Sequence, residues 1–147
     1  MSNNLTCTHR LVLPVDTNHH GTLYAGSLLR IALEAAYVTG HRAVGSGANL
    51  LLRRVLSLEC YRPVPVGSMI EIRGVPLHLT RAYLVVGLVG LPLAEQDGPW
   101  MDALLGFVQV DGDGQPAPFP NELATPAPAD SEWRDLAERM EKLLRVR

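Results

Sequence analysis

The chain has 147 residues and a net charge of −2, with 47% hydrophobic and 19% charged residues. That suffices for one domain with a core, is too short for two, and excludes a disordered chain. The absence of a basic excess, with 5% aromatic residues, argues against a nucleic-acid partner.

The first ten residues, "MSNNLTCTHR", contain no apolar stretch of the signal-peptide kind. No apolar run anywhere reaches the roughly 18 residues of a membrane span. The expectation is a cytoplasmic protein without membrane contact. Cys7 and Cys60 lie far apart in strand-like stretches, without the tight spacing of a zinc site or redox pair. They read as free, partly buried thiols.

Residues 5–13, "LTCTHRLVL", mix threonine with branched residues and predict a strand ended by Pro14. The polar turn "VDTNHHG" follows. From Thr22 to Gly40 there is no proline, Leu, Ala and Ile dominate, and a helix of about five turns is predicted, stopped by Gly40. A loop and a long strand come next, in "GSGANLLLRRVLSLECYRPV". "SMIEIRGVPLHLT" alternates, with Pro76 marking an edge or a bulge. "AYLVVGLVGLPL" is nearly all apolar, as suits a strand covered on both faces. "WMDALLGFVQV" is the last strand, closed by "DGDG".

Residues 115–129 are proline-rich and read as extended. Trp133, Leu136, Met140, Leu143 and Leu144 then recur at helical spacing. Asp130 can cap that helix, and Lys142, Arg145 and Arg147 suit its C-terminal end. Residues 1–120 form the domain. Residues 121–147 form a proline-rich segment and a helix, packed on the domain or on a neighbouring subunit.

Strand, apolar helix, four strands, small helix is an α+β order. A helix apolar almost all round must be buried, and a strongly curved antiparallel sheet wrapped around it meets that need. This is a hotdog arrangement. One sheet leaves one side of the helix open, so a homodimer at least is expected, with sheets joined edge to edge. Tetramer and hexamer remain open.

On a 100° wheel, Ser27, Arg30, Glu34 and His41 fall within an arc of about 60°. This stripe either meets solvent, with Arg30 and Glu34 an ordinary ion pair worth a few tenths of a kcal/mol, or it faces a substrate. For the second case the chemistry is available. The first turn of the helix presents backbone N–H groups around Ala25, Gly26 and Ser27, and Gly26 allows close approach. Such a helix start can hold a carbonyl oxygen as negative charge develops. A carboxylate two turns further on can activate water or attack the carbonyl, and burial would tune it. Hydrolysis of an activated acyl group, such as a thioester, fits. His19 and His20 have no third ligand at metal spacing. His20 is either a polar contact to the substrate or part of an exposed turn.

The stretch "VLPVDTNHHGTLYAGSLLRIALEAA" resembles hotdog-fold acyl-CoA thioesterases. The cytoplasmic acyl-CoA hydrolase branch carries Asn-x-x-Gly-Thr-x-aromatic-Gly-Gly-x-Leu, here Asn18, Gly21, Thr22, Tyr24, Ala25, Gly26 and Leu28. "LECYRPVPVGSMIEI" is similar to that family's aromatic-x-x-Pro-Val-x-x-Gly step, with Cys60 at the aromatic position. The resemblance spans roughly residues 10–120. In that branch's register the catalytic acid falls on Leu33, beside Glu34. The phenylacetic acid and hydroxybenzoyl-CoA thioesterase branch places its acid eight residues after a glycine, as Gly26 and Glu34 stand here. The two registers differ by one residue.

The resemblance implies an acyl-CoA hydrolase with Glu34, Asn18, His20, Gly26 and Ser27 at the catalytic centre. Tyr24, Arg30, Arg54, Arg62 and Arg81 would contact substrate, and Arg42, Arg53, Arg54, Arg62 and Arg81 are the candidates for its phosphates at the cleft mouth. Coenzyme A would enter as part of the substrate, with no metal and no other cofactor. A non-catalytic acyl-binding hotdog protein is the alternative. A hydroxyacyl-thioester dehydratase using His20 and Glu34 fits less well, since that family's acid position is Ile31 here.

Overall fold

The structure is a computed structural model and describes residues 5–93, 98–123 and 131–145. Strand β1 (Thr6–Leu11) leads through a short 3-10 turn at Pro14–Asp16 to helix α1 (Ala25–Val44). Strands β2 (Leu50–Cys60), β3 (Met69–Leu79), β4 (Tyr83–Pro92) and β5 (Met101–Gln109) follow, and helix α2 (Ser131–Arg145) closes the chain. All strand pairs are antiparallel, in the order β1-β3-β4-β5-β2. The two strands that come first in sequence are thus the two sheet edges. Helix α1 lies against all five strands, the expected hotdog arrangement.

The bounds of α1 differ from the sequence expectation for local reasons. Thr22 and Leu23 are held in extended bridges to Pro65 and Thr17, so the helix starts at Ala25 and not Thr22. Gly40 does not stop it. That glycine is buried inside the helix, where a Cβ would stand 2.9 Å from Leu50 Cδ1. The stop is Gly45, at φ 82°, whose N–H donates to the His41 carbonyl at 2.9 Å.

One face of α1, with Leu28, Ile31, Ala32 and Ala35, packs on the inner face of the sheet. Burying each large side chain there contributes about 1.5–3 kcal/mol. The closest approach is at Gly74, where a Cβ would sit 2.3 Å from Thr39 Oγ1. Helix α2 covers the outer face, setting Trp133, Leu136 and Met140 against Val75, Val85 and Leu104. Layers on both faces explain why β4 is apolar almost without a break. Asp130 and much of the proline-rich segment lie outside the described residues. Where that segment is described, Asn121 Nδ2 donates to the Val44 carbonyl at 3.0 Å, tying it to the end of α1.

Pro76 sits at a bulge of β3, beyond the last residue that β1 pairs with, so its missing N–H costs no ladder bond. The cysteines correct the sequence reading. Both Cys7 and Cys60 are exposed, because β1 and β2 are edges. Nor is α1 buried all round: Tyr37 and Val38 are each 44% exposed. The Tyr37 ring reaches back toward the buried Phe107, whose ring centroid is 6.1 Å away. Phe107 is paired with Leu52 of edge strand β2, where Leu51, Leu52 and Val55 are exposed.

Candidate active site

The turn before α1 is held by two acceptors. Asn18 Oδ1 accepts from the backbone N–H groups of His20 at 2.9 Å and Thr22 at 3.2 Å. It also accepts from the Thr22 hydroxyl at 3.3 Å. Its oxygen is therefore committed to the turn, while its Nδ2 donors have no partner among the described residues. Asp16 is the second acceptor, and sequence reasoning missed it. Its side chain is only 3% exposed. Oδ2 accepts from Leu13 N–H at 2.9 Å, Oδ1 stands 3.5 Å from Arg30, and its carbonyl accepts from Tyr24 N–H at 2.8 Å.

The polar stripe lies on the open side of α1. Glu34 projects from it, its side chain 57% exposed rather than buried within the chain. Oε1 is 3.7 Å from Arg30 and 3.7 Å from Arg10 of β1. Arg30 thus bridges Asp16 and Glu34, and Arg10 is a partner no local motif announced. The carboxylate borders a groove of ≈ 210 Å³ between α1 and β1, lined also by Thr8, Ile31 and Val38. Ser27 is half-buried at the stripe's start. His41 does not face outward with it. The ring turns onto Tyr37, centroids 4.4 Å apart, and Nε2 is buried with no partner among the described residues. Leu33 is half-buried against the main core.

At the helix start, Leu28 is the first residue whose N–H is taken by a helical bond, to the Tyr24 carbonyl at 2.8 Å. The amides of Ala25, Gly26 and Ser27 precede it. A Cβ on Gly26 would lie 2.5 Å from the Tyr24 ring, so this glycine makes room for that half-exposed ring as well as for any ligand. Eight residues at 1.5 Å each put Gly26 and Glu34 about 12 Å apart along the axis. One carbonyl group cannot meet both within a single chain.

His19 and His20 are both exposed, their rings 3.9 Å apart. Among the described residues no group of three His, Cys, Asp or Glu side chains could hold a metal ion. Within one chain Arg54, Arg62 and Arg81 stand apart from one another. Arg54 lies on β2, the sheet edge opposite β1 and its Glu34 groove. Arg62 donates to the Gly98 carbonyl and borders a separate cleft with Met69 and Trp100. Arg81 is exposed after β3, and its carbonyl accepts from Phe119 N–H at 3.1 Å. Bulges and strand ends, invisible in the sequence pattern, decide these directions. Arg42, in the last turn of α1, is used structurally. It donates to the Leu5 carbonyl at 2.9 Å and the Thr6 hydroxyl at 2.8 Å.

No protein-family model and no curated protein sequence matches the chain. Its structure, however, is similar to solved acyl-CoA hydrolases. A hexameric acyl-CoA thioesterase superposes with TM-score 0.78 at 26% identity, over 97% of this chain and 92% of that one. An acyl-CoA hydrolase from Staphylococcus aureus, solved with butyryl coenzyme A and coenzyme A, gives 0.78 at 20% identity, over 97% and 82%. One from Bacillus cereus gives 0.79 at 18% identity, over 98% and 86%. The chain has the hotdog fold of acyl-CoA thioesterases, the proteins its sequence resembles.

Proposed function

We propose that this chain hydrolyses acyl thioesters, with acyl-CoA as the substrate, in a site completed by a second copy of itself. The observation that carries this reading is the open Glu34 carboxylate, about 12 Å along α1 from the free amides of Ala25–Ser27. Two such helices laid antiparallel would bring the acid of one protomer to the helix start of the other. A carbonyl held between them meets donors on one side and a base on the other. The exposed face of α1 and the exposed edge β2 supply apolar surface for that partner. The solved hexameric thioesterase with this fold supports assembly at least to a dimer, and we place the reaction in the cytoplasm.

In the proposed reaction, Glu34 takes a proton from water as the water oxygen attacks the thioester carbon. The amides at Gly26 and Ser27, with the Nδ2 donors of Asn18, stabilise the oxygen as it becomes an oxyanion. The carbon–sulfur bond then breaks, and the thiolate leaves with a proton returned through Glu34. Arg10 and Arg30, each 3.7 Å from Oε1, hold the Glu34 carboxylate in place between α1 and β1. Tyr24 and His20 border the site from the turn. Coenzyme A takes part only as the substrate's leaving group.

A second reading is a binding protein that holds an acyl thioester without turnover. It is favoured by the two arginines on Glu34 Oε1 and by Leu33 standing where one thioesterase branch has its acid. Thiol release from a panel of acyl-CoAs separates the two. Glu34→Gln should lower turnover by about 10²–10⁴-fold with the melting temperature preserved. Unchanged turnover in that variant sinks the mechanism. Binding without thiol release by the unaltered chain selects the second reading.

A further inference from the structure

On the outer face of the sheet, beside α2, lies a cleft of ≈ 570 Å³ lined by Arg53, Arg54, His78, Thr80, Tyr83 and Leu144. Two irregularities build it. In β2, Leu52 faces Phe107 and Arg54 faces Gly106, leaving Arg53 as an extra residue. In β3, Pro76 faces Val86 and His78 faces Val85, leaving Leu77 extra. Bulges re-aim side chains, and here adjacent arginines line one cleft instead of alternating across the sheet. Gly106 is required for the floor, since a Cβ there would collide with the Tyr83 hydroxyl. The Tyr83 ring occupies that space, and its Oη is buried with no hydrogen-bond partner among the described residues.

The lining is rich in donors and, among the described residues, contains no carboxylate. Neither Arg53 nor Arg54 forms an ion pair among the described residues. Both charges act on Tyr83: burial pushes its phenol up, and Arg54 and Arg53 pull it partly back. The buried Tyr83 hydroxyl is a donor that an oxyanion would satisfy, and the two exposed guanidinium groups beside it can pair with the same anion. A single oxyanion would leave most of the volume empty, while the Tyr83 ring and Leu144 offer an apolar wall for an attached organic group.

We propose that this cleft binds a diphosphate group carried by a small organic molecule, held by Arg53, Arg54 and the Tyr83 hydroxyl. It stands apart from the Glu34 groove, which lies on the helix α1 side of the sheet, so it does not rest on the thioesterase reading.

The test is calorimetric titration of the full chain with pyrophosphate, then with ADP and coenzyme A. Binding of pyrophosphate should weaken at least tenfold in the Arg53→Gln, Arg54→Gln double variant and severalfold in Tyr83→Phe, which removes one oxygen and preserves the ring. Glu34→Gln should bind pyrophosphate as tightly as the unaltered chain. Two results overturn the proposal: no binding of pyrophosphate at millimolar concentration, or binding that survives both the double variant and Tyr83→Phe. Among the organic diphosphates the source is read by comparison. Tighter binding of ADP than of coenzyme A, lost in the double variant, assigns a free nucleotide. Tighter coenzyme A binding, lost likewise, assigns coenzyme A held at a position apart from the Glu34 groove.

Discussion

Replacing Arg139 by alanine should loosen α2 from the sheet. Its guanidinium reaches Asp102 Oδ1 at 2.8 Å and Oδ2 at 3.3 Å, Ser57 Oγ at 3.2 Å, and the Tyr61 hydroxyl at 3.3 Å. Tyr61 in turn donates to Asp102 Oδ2 at 2.7 Å. One side chain thus joins α2 to β2, β5 and the residue following β2. The Asp102 side chain is 14% exposed and that of Arg139 is 31% exposed, so the pair lies between the buried and the surface case. A surface pair is worth under about 1 kcal/mol, and breaking a fully buried one costs about 3–5 kcal/mol. Loss of Arg139 leaves Asp102 with Tyr61 alone, which argues for about 2 kcal/mol, or a fall in Tm of roughly 4–8 °C for a domain of this size. Asp102→Ala should cost less, because Arg139 can turn its head to water. Urea melts of both single variants and the double variant give the coupling energy, expected at about 1 kcal/mol or more. A coupling below about 0.3 kcal/mol would refute the clasp.

Gly74→Ala should destabilise by about 1–3 kcal/mol, since its methyl would overlap Thr39 Oγ1 and press Leu88 Cδ2 at 3.0 Å; Thr39→Ser in the same chain should not relieve this, whereas Thr39→Ala should recover part of it in thermal melts. Asp16→Ala should cost about 1–3 kcal/mol by leaving Leu13 N–H without its acceptor and Arg30 without one of its two acids, read as a lower urea midpoint. Burial pushes the Glu71 carboxyl up, but hydrogen bonds from His9 at 2.7 Å and Arg73 at 2.5 Å outweigh it and hold the group below its ordinary 4.5. Its stabilising share is therefore complete above about pH 4.5 and is lost as pH falls through the lower folded value. Glu71→Gln should flatten the acid side of the stability–pH curve, and an unchanged slope counts against the ion cluster.

The elements were legible because each has a period that one packing layer enforces. β4 reads as continuous apolar sequence because α1 covers one face and α2 the other. The α1 stripe was legible for the same reason, since a helix places residues by angle alone. What escaped depends on neighbours distant in sequence. Gly40 looks like a helix stop, yet the close approach of Leu50 makes it an interior contact. Asp16 looks like one more turn acid, and only the fold buries it beneath Arg30. Arg10 meets Glu34 only because β1 runs beside α1. The directions of the arginines were not legible because a bulge re-aims the side chains around it, and nothing in "LLLRRVLSLEC" marks where the extra residue falls. Arg53 consequently entered the outer cleft with Arg54 and not the groove on the helix side.

Strand β2 also sets a condition on how this chain survives its own synthesis. It is eleven residues long, lies at a sheet edge, and exposes Leu51, Leu52 and Val55. An unpaired apolar edge is a template for any extended chain that reaches it. Arg53 and Arg54, its only cations, stand among those leucines and act as gatekeepers that repel an indiscriminate neighbour. A newly made chain is therefore open to clumping through this edge, the more so at higher concentration. Neutralising the two arginines removes that protection, so the double variant is best made at low expression and low temperature.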